Sequence, residues 1–387
     1  MQSPRIVLAA ALLLACQCEF SGAQETESNL GASTRRFEDL PALVELLKKE
    51  AAKGDAKSQA DLGVHFFFGD GLPQDSVEAL KWFQKAVDQG NASGQYWLGY
   101  AHYIGRGVPK DFPIAAKWFQ RAANGGSVGA QFLLGMMHLK GEGVAQDSKS
   151  ALQWLAKAAE QDNAPASLQL GLFYSRPGAA DADPAAAFKY FLKAAERGDA
   201  RAQYFVWRAY DKGVGTEKNP AEAASWLQRI EQNDFTTYQI GQMFSAGDDV
   251  PRDLEQALKW IRKAADSGFF VAQYKLGQMY YSGKGVAQNY EEAARWFQKS
   301  ARQGDPNAQT YLANCYAKGL GVKKDLVEAM AWSNLAAQQG EKTGTQLRDS
   351  LGQSMTEGQV AEAKKRLEAI VAETRKENDK AENPPAK

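Results

Sequence analysis

Cysteine is scarce in this chain: of three in 387 residues, Cys16 and Cys18 fall in or beside the first apolar stretch, leaving Cys315 alone in the body. A single cysteine cannot close an intramolecular disulfide, so the body must be held by packing. Histidine is equally rare, and His65, His102 and His138 stand far apart with no His or Cys pair at ligand spacing, which argues against a metal centre. Neither sign of charge prevails, since 46 Lys and Arg balance 46 Asp and Glu. With no net field, nothing draws the whole chain onto nucleic acid or an anionic membrane. Beyond the first residues, no apolar run approaches the roughly 20 residues that cross a bilayer. Catalytic motifs are missing as well. Ser-x-x-Lys and Ser-Asp-Asn are absent and Lys342-Thr343-Gly344 stands alone, so a serine acyl-enzyme has no nucleophile. No cofactor is expected.

The N-terminus carries an export pattern: Arg5, an apolar stretch from Ile6 to Ala15, then small residues at Ser21-Gly22-Ala23. Two cleavages compete. One follows Ala23; the other precedes Cys16, because Leu13-Leu14-Ala15-Cys16 resembles a bacterial lipobox and would make Cys16 a lipid attachment site. The expected layout is a signal over 1–23 (or 1–15 for a lipoprotein), a linker over 24–39, a repeat region over 40–376 and a disordered tail over 377–387.

What is present is a period. A large aromatic followed by a mostly apolar residue recurs at Trp82, Trp118, Trp154, Tyr190, Trp226, Trp260, Trp296 and Trp332, at spacings of 36 except for one of 34. Three residues earlier stands Ala in every copy, from Ala79 to Ala329, on the same helical face. Seven residues earlier stands Asp or Asn (Asp75, Asp111, Asp147, Asp183, Asn219, Asp253, Asn289, Asp325), which reads as an N-cap. Glu78, Glu222, Gln256, Glu292 and Glu328 follow at the spacing of capping boxes, and glycines such as Gly90, Gly126 and Gly198 close the helices. A second helix lies upstream in each unit, marked by Leu62-Gly63, Leu98-Gly99, Leu134-Gly135, Leu170-Gly171, Ile240-Gly241 and Leu276-Gly277. A mid-helix Gly costs roughly 1 kcal/mol against Ala, so its return predicts a close helix crossing, with the partner helix's Trp as candidate filler. Gly-x-Gly turns such as Gly69-Asp70-Gly71 join the two helices; no strand precedes them, so they are not phosphate loops.

The Ala-Gln-Tyr-x-Leu-Gly core, the Gly-x-Gly-Val turn and the Asp, Ala, Trp-Phe, Ala-Ala, Gly series resemble the Sel1-like repeats, relatives of the tetratricopeptide repeats, from about Leu40 to Glu373. The resemblance implies an all-α fold, a right-handed α-solenoid of eight helix-turn-helix repeats with N- and C-terminal capping helices. Leu40 to Gly54 reads as the leading cap, and Thr356-Glu357-Gly358-Gln359 opens a last helix through Val371. Arg176-Pro177-Gly178 replaces a turn in the fourth unit, and the turn near Asn233-Asp234 is two residues short; both predict local irregularity. The family's cysteine-rich members described as β-lactamases carry paired cysteines that are missing here.

On the first helix of each unit, the side opposite the Leu-Gly stripe is aromatic: Tyr96, Phe132, Tyr204, Tyr238 and Tyr274, joined by Tyr100, Met136, Tyr103 and Tyr281. By likeness to tetratricopeptide arrays this side lines a concave groove, and an exposed row of Tyr suits a bound peptide, offering apolar area, one polar handle and few rotors. The competing reading packs these rings against adjacent first helices. On the second helix Lys85, Arg121, Lys157, Lys193, Arg229, Lys263 and Lys299 recur; with acids a turn earlier they read as a solvated outer face, not a nucleic-acid strip. The expectation is a monomeric, non-catalytic scaffold or adaptor for proteins in the bacterial envelope, periplasmic or lipid-anchored to the outer membrane, without nucleic acid or a transmembrane span. An envelope enzyme acting on β-lactams or cell wall, or a host-contact factor, is the alternative.

Overall fold

The computed structural model describes residues 33–382, with side chains over 42–374; the export segment, Cys16 and the last five residues lie outside the described residues. Among the described residues there are 19 α-helices and no strand. The chain divides into two compact units, one up to Lys218 and one from Asn219 onward. No described helix is long and apolar enough to cross a membrane.

The first unit opens with Ser33–Ala52, followed by the pairs Ala56–Phe68/Ser76–Asp88, Ala92–Ile104/Phe112–Asn124, Val128–Lys140/Ser148–Glu160 and Ala164–Tyr174/Pro184–Glu196, then Ala200–Lys212. The second runs from Pro220–Glu231 through Asp234–Ala246/Leu254–Asp266, Phe270–Ser282/Tyr290–Arg302 and Pro306–Lys318/Leu326–Gln338 to Lys342–Ser354 and Glu357–Glu382. Both irregularities appear where the sequence places them: Ala164–Tyr174 has 11 residues against the usual 13, and Pro220–Glu231 has 12.

The expected Asp and Asn caps are in place, each accepting from backbone N–H groups of the first turn. The capping boxes on those helices are a different matter. The cap's own N–H, which a Glu should receive, is already given to the preceding helix: Asp75 donates to the Phe66 carbonyl at 2.9 Å, Asn289 to Tyr280 at 2.9 Å, Asp325 to Tyr316 at 2.9 Å. A tertiary bond thus occupies the donor and pins each helix hairpin. Glu78 turns to Lys81, Glu292 to Arg295, and Glu328 to Trp332 and Arg366. Among the described residues, only Thr356 and Gln359 exchange both bonds, at 2.9 and 3.3 Å.

The close crossing predicted from the mid-helix glycines is real, but its filler is the residue after the anchor. A Cβ on Gly63 would lie 2.5 Å from the Phe83 ring, on Gly171 2.5 Å from Phe191, and on Gly277 2.6 Å from Phe297. These rings are buried, whereas Trp82, Trp118 and Trp154 are half-buried beside them. Lys85, Arg121, Lys157, Arg229 and Lys299 lie over their anchor Trp rings at 3.7 to 4.8 Å, so the basic strip packs onto the outer aromatic row.

Successive pairs are also stitched by glutamine. Gln131 donates to the Ala123 carbonyl at 3.3 Å and accepts from Gln161 at 2.8 Å; Gln273 repeats this with Ala265 and Gln303, and Gln309 with Ala301 and Gln339. Each buried amide is satisfied from both sides, which is what makes it tolerable inside.

Both ends differ from expectation. The leading helix begins at Ser33, not Leu40. Lys342-Thr343-Gly344 opens an additional helix, capped by Glu341, ahead of the last one. The last helix continues past Val371 to Glu382, because its extension is rich in Ala, Glu, Lys and Arg and meets no Pro before Pro384. It covers the final pair with Ala363 and Ile370 buried and with Arg366 bonded to Glu328 at 2.5 Å.

Candidate functional site

The nine residues expected on an exposed aromatic row divide by depth. Tyr96, Tyr100 and Tyr204 are buried, at 3%, 9% and 7% exposure, which corrects the expectation of an open row there. Tyr96 stacks on Tyr100 at 6.2 Å, meets Trp97 edge-on at 5.0 Å and touches Phe119 at 5.8 Å. The next first helix comes so close that a Cβ on Gly129 would sit 3.0 Å from the Tyr96 ring. At these positions the face is the contact between stacked copies.

The other six are half-buried. Tyr103 leans on Phe112 at 5.2 Å and donates its hydroxyl to Glu142 at 3.1 Å; burial first, then the Glu142 charge, push its pKa up to about 12. Phe132 and Met136 lie against the cluster around Leu155 and Leu170.

Tyr238, Tyr274 and Tyr281 belong to the second unit. The Tyr274 hydroxyl accepts from Gln278 at 2.6 Å, and Gln242 bonds Tyr238 in the same way one copy earlier. Burial raises both phenols above the usual tyrosine range. Tyr281 lies 5.2 Å from Tyr290 and accepts from Asn314 at 3.1 Å.

Sequence reasoning missed Tyr311, which joins this group. Its ring is 5.7 Å from Tyr274, 5.6 Å from Tyr281 and 5.0 Å from Phe297. It sits one position before the Leu of the stripe, where Trp97 and Phe205 stand in other copies, and that shared position was the available signal. Beside these rings a cavity of about 240 Å³ is lined by Ser245, Lys275, Gln278, Tyr281, Lys284 and Tyr311 among others. Rings with polar edges next to a groove can hold a polypeptide by apolar contact and hydrogen bonds. Among the described residues no group of three or more His, Cys, Asp or Glu is placed to hold a metal ion.

The sequence model of the family described as Sel1 repeat matches eight consecutive segments: 56–91, 92–127, 128–163, 164–199, 200–232, 237–269, 271–305 and 306–341. The chain belongs to the Sel1 repeat family. Its eight Sel1 repeats account for the helix pairs above, as an all-α solenoid of helix-turn-helix units. A Sel1 repeat protein from Oxalobacter formigenes is 32% identical, over 86% of this chain and 99% of that one, with a TM-score of 0.44. A protective antigen present in uropathogenic Escherichia coli strains, displaying an SLR fold, is 31% identical over 90% of this chain and 76% of its own, with a TM-score of 0.47. No curated protein matches the sequence. Sel1 repeat proteins are generally scaffolds for protein–protein interaction and mostly non-catalytic.

Proposed function

We propose that this chain is a non-catalytic adaptor of the bacterial cell envelope that holds an extended segment of a partner protein against the aromatic side of its first helices. The observation that carries this reading is the set Tyr238, Tyr274, Tyr281 and Tyr311: half-buried rings on the first helices of three consecutive Sel1 repeats of the second unit. Partly buried Tyr is well suited to such a task, since its ring is held by neighbours while an edge stays open and a hydroxyl that only accepts can still donate to a ligand. In the first unit Tyr96, Tyr100 and Tyr204 act as packing, and Tyr103, Phe132 and Met136 offer a half-buried strip there.

Replacing Tyr281 and Tyr311 together by Ser should abolish recovery of crosslinked partners from intact cells while helical content by circular dichroism is retained. Unchanged crosslinks on a folded double variant refute the reading. The envelope location rests on the N-terminal export pattern. Incorporation of a fatty-acid probe in the wild type but not in Cys16→Ser would establish the outer-membrane anchor, and absence of label in both would leave the Ala23 cleavage and a periplasmic form.

A further inference from the structure

One contact between successive copies recurs with changing chemistry. The fifth residue after the stripe Leu on one first helix meets the middle residue of the next copy's Gly-x-Gly turn. In the first unit this position is self-sufficient: Arg106 lies 4.8 Å over the Phe67 ring, and Glu142 accepts from the Tyr103 hydroxyl at 3.1 Å. In the second unit the same pair of positions is Ser245 and Lys284, and the two line one groove with Lys275. Neither lysine has an ion-pair partner among the described residues, and no Asp or Glu lines the groove.

The remaining groups there include several hydrogen-bond donors. Asn314 donates to the Tyr281 oxygen, so the Tyr281 hydrogen is left to point elsewhere. Ser245 and Tyr311 have hydroxyls with no partner among the described residues. Lys275 is half-buried, and burial together with the neighbouring Lys284 holds its pKa below the usual lysine range. Two like charges beside hydrogen-bond donors, with no carboxylate among the lining residues, favour an anionic guest. At about 240 Å³ the groove is several times the roughly 30 Å³ share of one water, enough for a carboxylate-bearing side chain.

We infer that this groove is the specificity pocket of the binding face, in which Lys275 and Lys284 receive an Asp or Glu side chain of an extended acidic segment of the partner while Tyr281 and Tyr311 hold its backbone and apolar neighbours. This rests on the adaptor reading above and assigns the ligand's chemistry. The aromatic rings favour a polypeptide, and a single-stranded nucleic acid is the rival for the same charge.

A random dodecapeptide phage library panned on the full chain, on Lys275→Gln/Lys284→Gln and on Tyr281→Ser/Tyr311→Ser tests it, with folding of each variant checked by circular dichroism. The wild type should enrich sequences bearing Asp or Glu beside apolar residues. Their capture should fall about tenfold or more on the lysine variant and weaken with added salt. Sequences without acidic residues, captured equally by the lysine variant but lost on the tyrosine variant, overturn the pocket and leave the adaptor face standing. Sequences captured equally by the tyrosine variant overturn the face itself. An empty selection overturns both, and so does lysine-dependent binding of a labelled single-stranded DNA oligonucleotide without acidic peptides.

Discussion

The two units use one repeat template to different ends. In the first, Phe67, Phe83, Tyr96, Trp97, Tyr100 and Phe119 form a continuous ring cluster, and the turn residues Arg106 and Glu142 are tied to it. In the second, Tyr274, Tyr281 and Tyr311 remain half-buried and the turn residue Lys284 is left without a carboxylate. An aromatic on the same helical side is therefore packing or surface according to what the next copy brings against it. Where that copy presents Gly129, Tyr96 disappears beneath it; where Tyr311 and Asn314 approach instead, Tyr274 and Tyr281 keep an open edge.

The largest effect that would break this contrast is a truncation of buried against half-buried rings. Tyr96→Ser should destabilise by about 3 kcal/mol, because it opens a cavity in the ring cluster, and Tyr311→Ser by about 1 kcal/mol, since much of its area is already wet. Equal losses in urea unfolding would erase the distinction.

Next comes a feature the units share. Gly63→Ala and Gly277→Ala should each cost about 1–3 kcal/mol, since the new methyl meets Phe83 or Phe297 well inside contact distance. Leu in place of that Phe, as Leu155 stands opposite Gly135, should restore part of the loss. A neutral or stabilising Ala would mean that the helices can move apart.

The smallest effect is in titration. Tyr103 has a folded pKa of about 12, above its ordinary value of about 10. Folding thus favours the neutral phenol, and the stability it contributes is fully present below about pH 10 and is lost as pH rises through about 12. Glu142→Gln should bring its ionisation down in an ultraviolet absorbance titration, leaving the part due to burial. An unmoved transition would show that Glu142 does not hold the hydroxyl.

The caps, the period and both irregular copies were readable because they depend on residues within one turn or one repeat of each other. The Asp at each second-helix start can only serve its own first turn. The expected capping boxes failed for the opposite reason: the N–H that Glu78 or Glu292 would receive is bonded to a carbonyl of the previous helix, which local spacing does not reveal. The side carrying Tyr96, Tyr204 and Tyr274 was also legible from helical geometry. Its depth was not, nor was the membership of Tyr311, Lys275 and Lys284, which lie one residue or one turn away from that row.

What the sequence alone determined is the helix pair, its caps and the 36-residue stride, since hydrogen bonds and apolar stripes at short range decide them. What only the tertiary structure decided is which side chain fills each glycine notch, which tyrosines are covered and which cations stay unpaired. Those depend on how closely the second helix of the same copy and the next copy approach, and that distance is set by packing between residues far apart along the chain.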